Sequence, residues 1–276
     1  MSMSAPAAVI VLAAGEGTRM KSSVPKVLNE VCGAAMLGHV LAASRELAPG
    51  RLIVVVSDAD GPVARYLREY APDAVPVVQA TRGGTGHAVR VAIEASGAID
   101  GTVVVTYGDT PLLRGQTLAR LVSEHDNAGA AVTALVARAA DPTGYGRIVR
   151  DASGGLAAVV EQADATDEQK AIDEINSGMY AFDGNLLGDA LKRLTTDNAK
   201  GEEYLTEVPS ILLADGFPVG TVWCDDFDEI LGVNDQAQLA TARRVLNDRL
   251  LGSWMGTGGD RIEGRMTAPG EGAQGT

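Results

Sequence analysis

The chain has 276 residues and a formal charge of −13, from 36 acidic and 23 basic side chains. That balance argues against nucleic-acid polymers, whose binders carry basic surfaces, but not against a small anionic ligand, which responds to local cations. The length suits one large α/β domain or two small ones. Cys32 and Cys224 fit a reducing compartment, and the N-terminus shows no basic segment ahead of an apolar run long enough for a signal or membrane span. A soluble cytoplasmic protein with no membrane partner is expected.

Along the first half, strand-like and helix-like segments alternate. Short β-branched runs at 9–14, 52–57, 75–79 and 103–107 read as strands covered on both faces. Helical patterns at 36–47, 62–70 and 87–95 lie between them. This rhythm indicates βαβ units, a parallel sheet and right-handed crossovers. The second half changes character. A strand at 131–137 precedes antiparallel candidates at 146–149, 156–161 and 174–182, with a turn signal at Asp151-Ala152-Ser153-Gly154-Gly155. Helices are expected at 186–194, 204–214 and 235–251, and a strand at 219–223. With no clean linker before Gly252, residues 1–251 read as one α/β domain, a Rossmann-like, mixed but mostly parallel sheet with helices on both faces. Residues 252–276 turn to Gly, Thr, Glu and Ala without period and read as a disordered tail or an engineering remnant. Ile262-Glu263-Gly264-Arg265 within them resembles an engineered protease site.

The richest stretch is Leu12-Ala13-Ala14-Gly15-Glu16-Gly17-Thr18-Arg19-Met20, followed by Pro25-Lys26. Small residues after a buried strand let backbone N–H groups approach a ligand, and two cations follow within reach of the same phosphates. Two familiar phosphate loops are excluded. A dinucleotide fingerprint needs a third glycine where Met20 stands and an acid about 20 positions on, and a P-loop needs lysine directly after glycine. Pro25 disfavours a helix at Val24, so the loop is expected to be open and extended around its cations. The bland reading, a strand-to-helix turn with surface charges, is outweighed by Arg19 and Pro25-Lys26.

Other segments carry polar groups to the same sheet edge, where ligands of open α/β sheets bind. Tyr107-Gly108-Asp109 ends an apolar strand with a carboxylate, a natural hard-oxygen ligand for Mg²⁺ or else the start of a turn before Pro111. Gly83-Gly84-Thr85-Gly86-His87 opens a helix after Gln79 and presents free N–H groups; His87 itself reads as structural. Gly144-Tyr145-Gly146-Arg147, Val160-Glu161-Gln162, Ile175-Asn176-Ser177-Gly178 and Gly232-Val233-Asn234-Asp235 each pass singly for a turn or strand end. Together they offer the carboxylate, amide and bare backbone that sugar hydroxyls and acetamido groups need. The histidines and cysteines show no zinc spacing.

In register, these motifs resemble the sugar-phosphate nucleotidyltransferases. Within that family they are similar to the N-terminal uridyltransferase half of the bacterial bifunctional enzymes that make UDP-N-acetylglucosamine, from about Ala8 to Leu250. The resemblance implies transfer of UMP from UTP to N-acetylglucosamine 1-phosphate for cell-wall precursor synthesis, with Mg²⁺ as cofactor. It implies that Asp109 and Asn234 hold the metal, and that Arg19, Lys26 and Asp109 carry the chemistry. Leu12, Ala13, Ala14 and Gly15, with Gln79, Gly84 and Thr85, would bind the nucleotide; Tyr107, Gly146, Glu161 and Asn176 would bind the sugar.

Departures from the family pattern are expected to matter at two places. Asp235 stands where a second Asn is usual, which would add a carboxylate beside the implied metal site, and Glu203 stands where an aromatic is common. The family's acetyltransferase half consists of hexapeptide repeats, and no such period follows Leu251. Acetyl transfer and the trimer that half supplies are therefore not expected, leaving a monomer or weak oligomer. Two other readings stay open: a nucleotidyltransferase for another sugar 1-phosphate such as glucose 1-phosphate, and a weakly catalytic nucleotide-sugar-binding protein.

Overall fold

The computed structural model describes residues 5–256. Strands β1 (Ala8–Leu12), β4 (Leu52–Val56), β5 (Ala74–Val78) and β6 (Thr102–Tyr107) form the parallel part of one sheet. A two-stranded hairpin, β2 (Glu30–Val31) and β3 (Ala34–Ala35), sits apart from it. β-Branched residues fill both faces: Val9 and Val11 pack on one side, Ala8 and Ile10 on the other, as a period of two demands. The chain then adds β7 (Val132–Arg138), β8 (Gly146–Arg150), β9 (Leu156–Val160), β10 (Glu174–Asp183) and β11 (Val219–Trp223). The main path runs β11-β7-β10-β6-β1-β4-β5, with β10 antiparallel to both β6 and β7 and with the β8–β9 hairpin branching from β10. The sheet is mixed and mostly parallel, as the alternating segments indicated.

Helices α1 (Met36–Arg45), α2 (Pro62–Tyr70) and α4 (Gly115–Ala128) cover one face. On the other lie α3 (Thr85–Ser96), α6 (Gly184–Leu191) and α7 (Val208–Ala214), while the short α5 (Asp167–Lys170) packs beside β8. Helix α4 is an addition to the expected set. Leu118, Leu121, Val122 and His125 form its buried stripe, and a histidine in the fourth position disguises the apolar period. No side chain caps its N-terminus, a loss of about 1 kcal/mol. Burial of each aliphatic side chain contributes about 1.5–3 kcal/mol, so packing decides in favour of the helix.

Helix α8 (Gln236–Gly256) crosses the top of the molecule. Leu239, Ala242 and Val245 clamp Met20 and Leu112, so the loop after β1 and the loop after β6 share one small core. Arg249 reinforces it by donating to the Leu112 carbonyl at 2.7 Å and pairing with Asp226 at 2.9 Å. The helix continues through Gly256, past the boundary expected at Gly252, because adding a residue to an existing helix gains a hydrogen bond without a new nucleation cost. The remainder of the expected tail, including Ile262 to Arg265, lies outside the described residues. Among the described residues, no helix is long and apolar enough to cross a membrane.

Candidate functional site

The loop after β1 is fixed by its backbone. Ala13 N–H donates to the Val55 carbonyl and Gly108 N–H to the Leu12 carbonyl, both at 2.9 Å, so β1, β4 and β6 end at one level. Gly17 then turns with φ +63°, and a Cβ there would lie 2.3 Å from the Lys26 Cβ. Only glycine lets the loop fold back against the lysine stem. The expectation of a fully extended loop is corrected: Thr18–Met20 and Lys26–Leu28 are both 3₁₀ turns. Val24 is not helical, as expected of a residue before proline, and Pro25 (φ −49°, ψ 141°) sets the entry to the second turn. The Asn29 amide closes that turn onto the Pro25 and Lys26 carbonyls at 3.1 and 3.0 Å.

That turn aims Lys26 at the end of β6. Its ammonium pairs with the Asp109 carboxylate and donates to Asn234 Oδ1 at 3.0 Å. Lys26 and Asp109 side chains are only 12% and 15% exposed, so the pair is far less screened than a surface ion pair. Val233 N–H donates to the Asp109 carbonyl at 2.9 Å, which joins the segment before α8 to the end of β6. Asp235 does not join this cluster through its capping oxygen: its Oδ1 accepts the Gln238 N–H at 2.8 Å as the N-cap of α8, while Gln238 Oε1 accepts the Asn234 N–H at 2.7 Å. One oxygen of Asp235 is thus committed to capping the helix.

A second loop faces the first. Gln79 donates to the Gly84 carbonyl at 3.1 Å and to His87 Nδ1 at 3.0 Å, which gives His87 a structural task. Gly84 turns with φ +101°, and Thr85 Oγ1 accepts the Leu205 N–H at 3.1 Å. Glu203, the second departure, turns its carboxylate to Arg90 on α3 in a two-point contact of 2.6 and 3.1 Å.

Register brings the remaining candidates together. Gly146 pairs with Asn176 across β8 and β10, and Arg147 pairs with Val160, so Glu161 emerges at the same end of the three strands. Glu161 Oε1 accepts from Thr206 Oγ1 at 3.1 Å. Tyr107 ends β6 between Leu12 and the glycine of a β10 bulge, where a Cβ on Gly178 (φ +83°) would lie 2.4 Å from its ring. Ser177 holds that bulge by donating to the Leu135 carbonyl at 2.7 Å. Burial, then the Glu161 and Asp109 carboxylates, push the Tyr107 phenol far above its usual range. Asn176 Oδ1, Tyr180 OH and Tyr204 OH are buried here outside good hydrogen-bond geometry, the Tyr180 hydroxyl beside the Asn176 side chain and the Tyr204 hydroxyl beside the Lys200 backbone.

One cavity of about 480 Å³ connects the two loops. Leu12, Ala13, Ala14, Gly15, Lys26, Gln79, Gly84, Thr85, Tyr107, Asp109 and Asn234 line it, as the motifs implied they would share a site. Gly146, Glu161 and Asn176 stand beyond its lining, next to Tyr107. Arg19 is placed differently from Lys26: it is exposed on its 3₁₀ turn and forms no hydrogen bond or ion pair among the described residues. Arg82, Lys200 and Glu202 also line the cavity; sequence reasoning passed over Arg82, whereas Lys200 and Glu202 lie in 198–206, a segment resembling one that closes the sugar pocket in the family. Arg82 pairs with Glu16. A cation directly before Gly83-Gly84 in so acidic a chain was the available signal; Lys200 and Glu202 had only their place in the segment near Tyr204.

A bare-backbone loop, a lysine and a carboxylate–amide pair at the carboxyl edge of a mostly parallel sheet define the class of nucleotidyltransferases. The chain belongs to the family of MobA-like NTP transferase domains, whose model matches residues 9–177. Its relatives include the bifunctional protein GlmU of Thermobifida fusca, 59% identical over 262 residues, which are 94% of this chain and 54% of that protein. The bifunctional protein GlmU of Streptomyces coelicolor is 58% identical over 253 residues, 91% of this chain and 52% of that one. The chain thus spans about half the length of the curated relatives it matches. A Bacillus anthracis crystal structure, described as a glucose-1-phosphate thymidylyltransferase in complex with sucrose, superposes with a TM-score of 0.69. It covers 86% of this chain and 94% of its own at 19% identity, a likeness of fold.

Proposed function

We propose that the chain transfers UMP from UTP to N-acetylglucosamine 1-phosphate, releasing pyrophosphate, as a cytoplasmic step toward cell-wall precursors. The observation that carries this reading is the Lys26 ammonium held between Asp109 and Asn234 in the same cavity as two glycine loops. A phosphate oxygen of the sugar phosphate attacks the α-phosphorus of UTP. The new P–O bond forms as the bond to the bridging oxygen breaks, and the electron pair leaves with pyrophosphate. Such a transfer relies on positioning and charge neutralisation rather than on a protein nucleophile.

The backbone of Ala13 to Gly15 and the Gln79–Gly84–Thr85 loop take the nucleotide. Lys26 and Arg19 face the transferring phosphates. Arg19 has no internal partner to give up, so its guanidinium is free to engage a phosphate bidentately. Gly146, Glu161, Asn176 and Tyr107 receive the sugar, and the buried Asn176 Oδ1, whose nearest polar neighbour is the Tyr180 hydroxyl in poor geometry, supports an N–H donor such as the acetamido group.

The residues fit Mg²⁺: one carboxylate and one amide oxygen already converge on a single cation, the ammonium of Lys26. A hard divalent ion with few protein ligands keeps waters and takes substrate phosphates, and it would neutralise charge on them here. Asp109 and Asn234 would hold it, and Lys26 would yield its contact with both.

Neither departure that favoured a weakly catalytic binding protein retains that force. Asp235 caps α8, and Glu203 is paired with Arg90. Purified protein given Mg²⁺, UTP and N-acetylglucosamine 1-phosphate is expected to release pyrophosphate in proportion to enzyme concentration. Release no faster than in enzyme-free buffer overturns the proposal.

A further inference from the structure

The segment 202–206 touches the cavity's glycine loop and, beyond the cavity, Glu161, and Glu203 is its anchor. Its backbone pairs with the glycine loop in both directions, Glu203 N–H to the Gly83 carbonyl at 2.7 Å and Gly86 N–H to the Glu203 carbonyl at 2.8 Å. The approach is close: a Cβ on Gly84 would lie 2.5 Å from the Glu203 oxygen. The Glu203 side chain reaches Arg90 on α3, the helix that this glycine loop opens. Both side chains are sheltered, 20% and 26% exposed, and the contact is two-pronged. Two and three residues further on, Leu205 N–H bonds Thr85 Oγ1 and Thr206 Oγ1 bonds the Glu161 carboxylate. Glu202 and Lys200 line the cavity from the same segment.

We propose that Glu203, through its ion pair with Arg90, is a positioning residue for nucleotide binding. The pair pins segment 202–206 against α3, and the pinned backbone sets the φ +101° conformation of Gly84 and the direction of the Gly84 and Thr85 N–H groups. The inference rests on the proposed nucleotide role of this loop. An alternative task for the pair is support of the fold alone, and the two differ in what they leave unchanged. A fold-supporting pair contributes stability and leaves ligand affinity alone. A positioning pair acts on UTP affinity even when the protein remains folded.

The test uses the full chain with Mg²⁺ and measures UTP affinity by calorimetry and melting temperature side by side. Glu203→Gln, which keeps the shape and removes the charge, and Arg90→Gln are each expected to weaken UTP binding by about tenfold, or about 1.4 kcal/mol. The exchange variant Arg90→Glu with Glu203→Arg is expected to recover affinity to within about threefold of wild type, because the pairing is restored with its direction reversed. UTP affinity unchanged in Glu203→Gln, or an exchange variant no better than the single variants, overturns the proposal, whatever happens to the melting temperature. A wild type that binds UTP yet releases no pyrophosphate with N-acetylglucosamine 1-phosphate overturns the proposed reaction instead, and the effect of the pair on UTP affinity remains readable.

Discussion

At the end of the cavity formed by β1, β5 and β6, charged and polar groups already have partners: Lys26 holds Asp109 and Asn234, Gln79 holds Gly84 and His87, and Arg82 holds Glu16. Beyond the cavity lining, where β8 and β10 end, Asn176 Oδ1, Tyr180 OH and Tyr204 OH are buried outside good hydrogen-bond geometry. In the proposed reading, the difference teaches how two neighbouring regions would treat two kinds of ligand. An anion is met by charges that hold one another in place until phosphate or metal exchanges with them, which avoids leaving an ammonium unpaired in a sheltered site. A sugar, as proposed, would be met by buried polar groups that lack good hydrogen-bond geometry in the free protein and would gain it on binding.

The sharpest way to break this comparison is to remove the charged groups. Asp109→Ala and Arg19→Ala are each expected to lower kcat by roughly 10²–10³-fold in a pyrophosphate-release assay, the usual cost of one contact made to the transition state. The two should separate in stability. Arg19 is exposed and unpaired, so its loss leaves the melting temperature unchanged, whereas loss of Asp109 strands Lys26 and lowers it. Near-normal turnover in both variants would remove the assigned roles.

Lys26→Met probes the same end in the opposite sense. With the competing ammonium gone, Asp109 and Asn234 should bind Mg²⁺ about tenfold more tightly in the absence of nucleotide, about 1.4 kcal/mol by titration calorimetry, even as turnover falls. Metal affinity that is unchanged or weaker would show that the lysine and the metal do not share a position.

At the sugar end, Asn176→Ala should raise KM for the sugar phosphate severalfold, in line with one lost hydrogen bond of about 0.5–1.5 kcal/mol, and leave KM for UTP alone. Equal changes in both would erase the division of the cavity. The smallest effect is expected from Tyr180→Phe. Deleting a buried hydroxyl held only in poor geometry beside Asn176 should change the unfolding free energy by no more than about 1 kcal/mol in a urea titration. A clear loss of stability would mean that the hydroxyl is satisfied in solution.

These two ends were not equally legible in the sequence. The parallel half could be read because β-branched runs ending in glycine loops repeat with helices between them, and the position of Gly15, Gly84 and Asp109 follows from strand ends alone. The convergence of Asp109 and Asn234 on Lys26 is different. It spans 208 residues between Lys26 and Asn234 and is created by α8 packing Leu239 and Val245 on Met20, a contact no local pattern reveals. The β10 bulge at Gly178, which makes room for Tyr107, is likewise set by pairing with β6 and β7 rather than by its own residues. Helix α4 was hidden by His125 in its buried stripe, where Thr133 Oγ1 lies 3.0 Å from the ring nitrogen. Asp235 and Glu203 looked like disturbances of the site because a motif compares residue types, and only coordinates show that one caps a helix and the other pairs with Arg90.

On the proposed reading, the buried Asn176 amide near Tyr107 selects an acetamido sugar. A competition with limiting UTP, Mg²⁺ and equal concentrations of N-acetylglucosamine 1-phosphate and glucose 1-phosphate tests it directly. The account predicts that UDP-N-acetylglucosamine dominates the products; equal yields of the two nucleotide sugars, or a predominance of UDP-glucose, would contradict it.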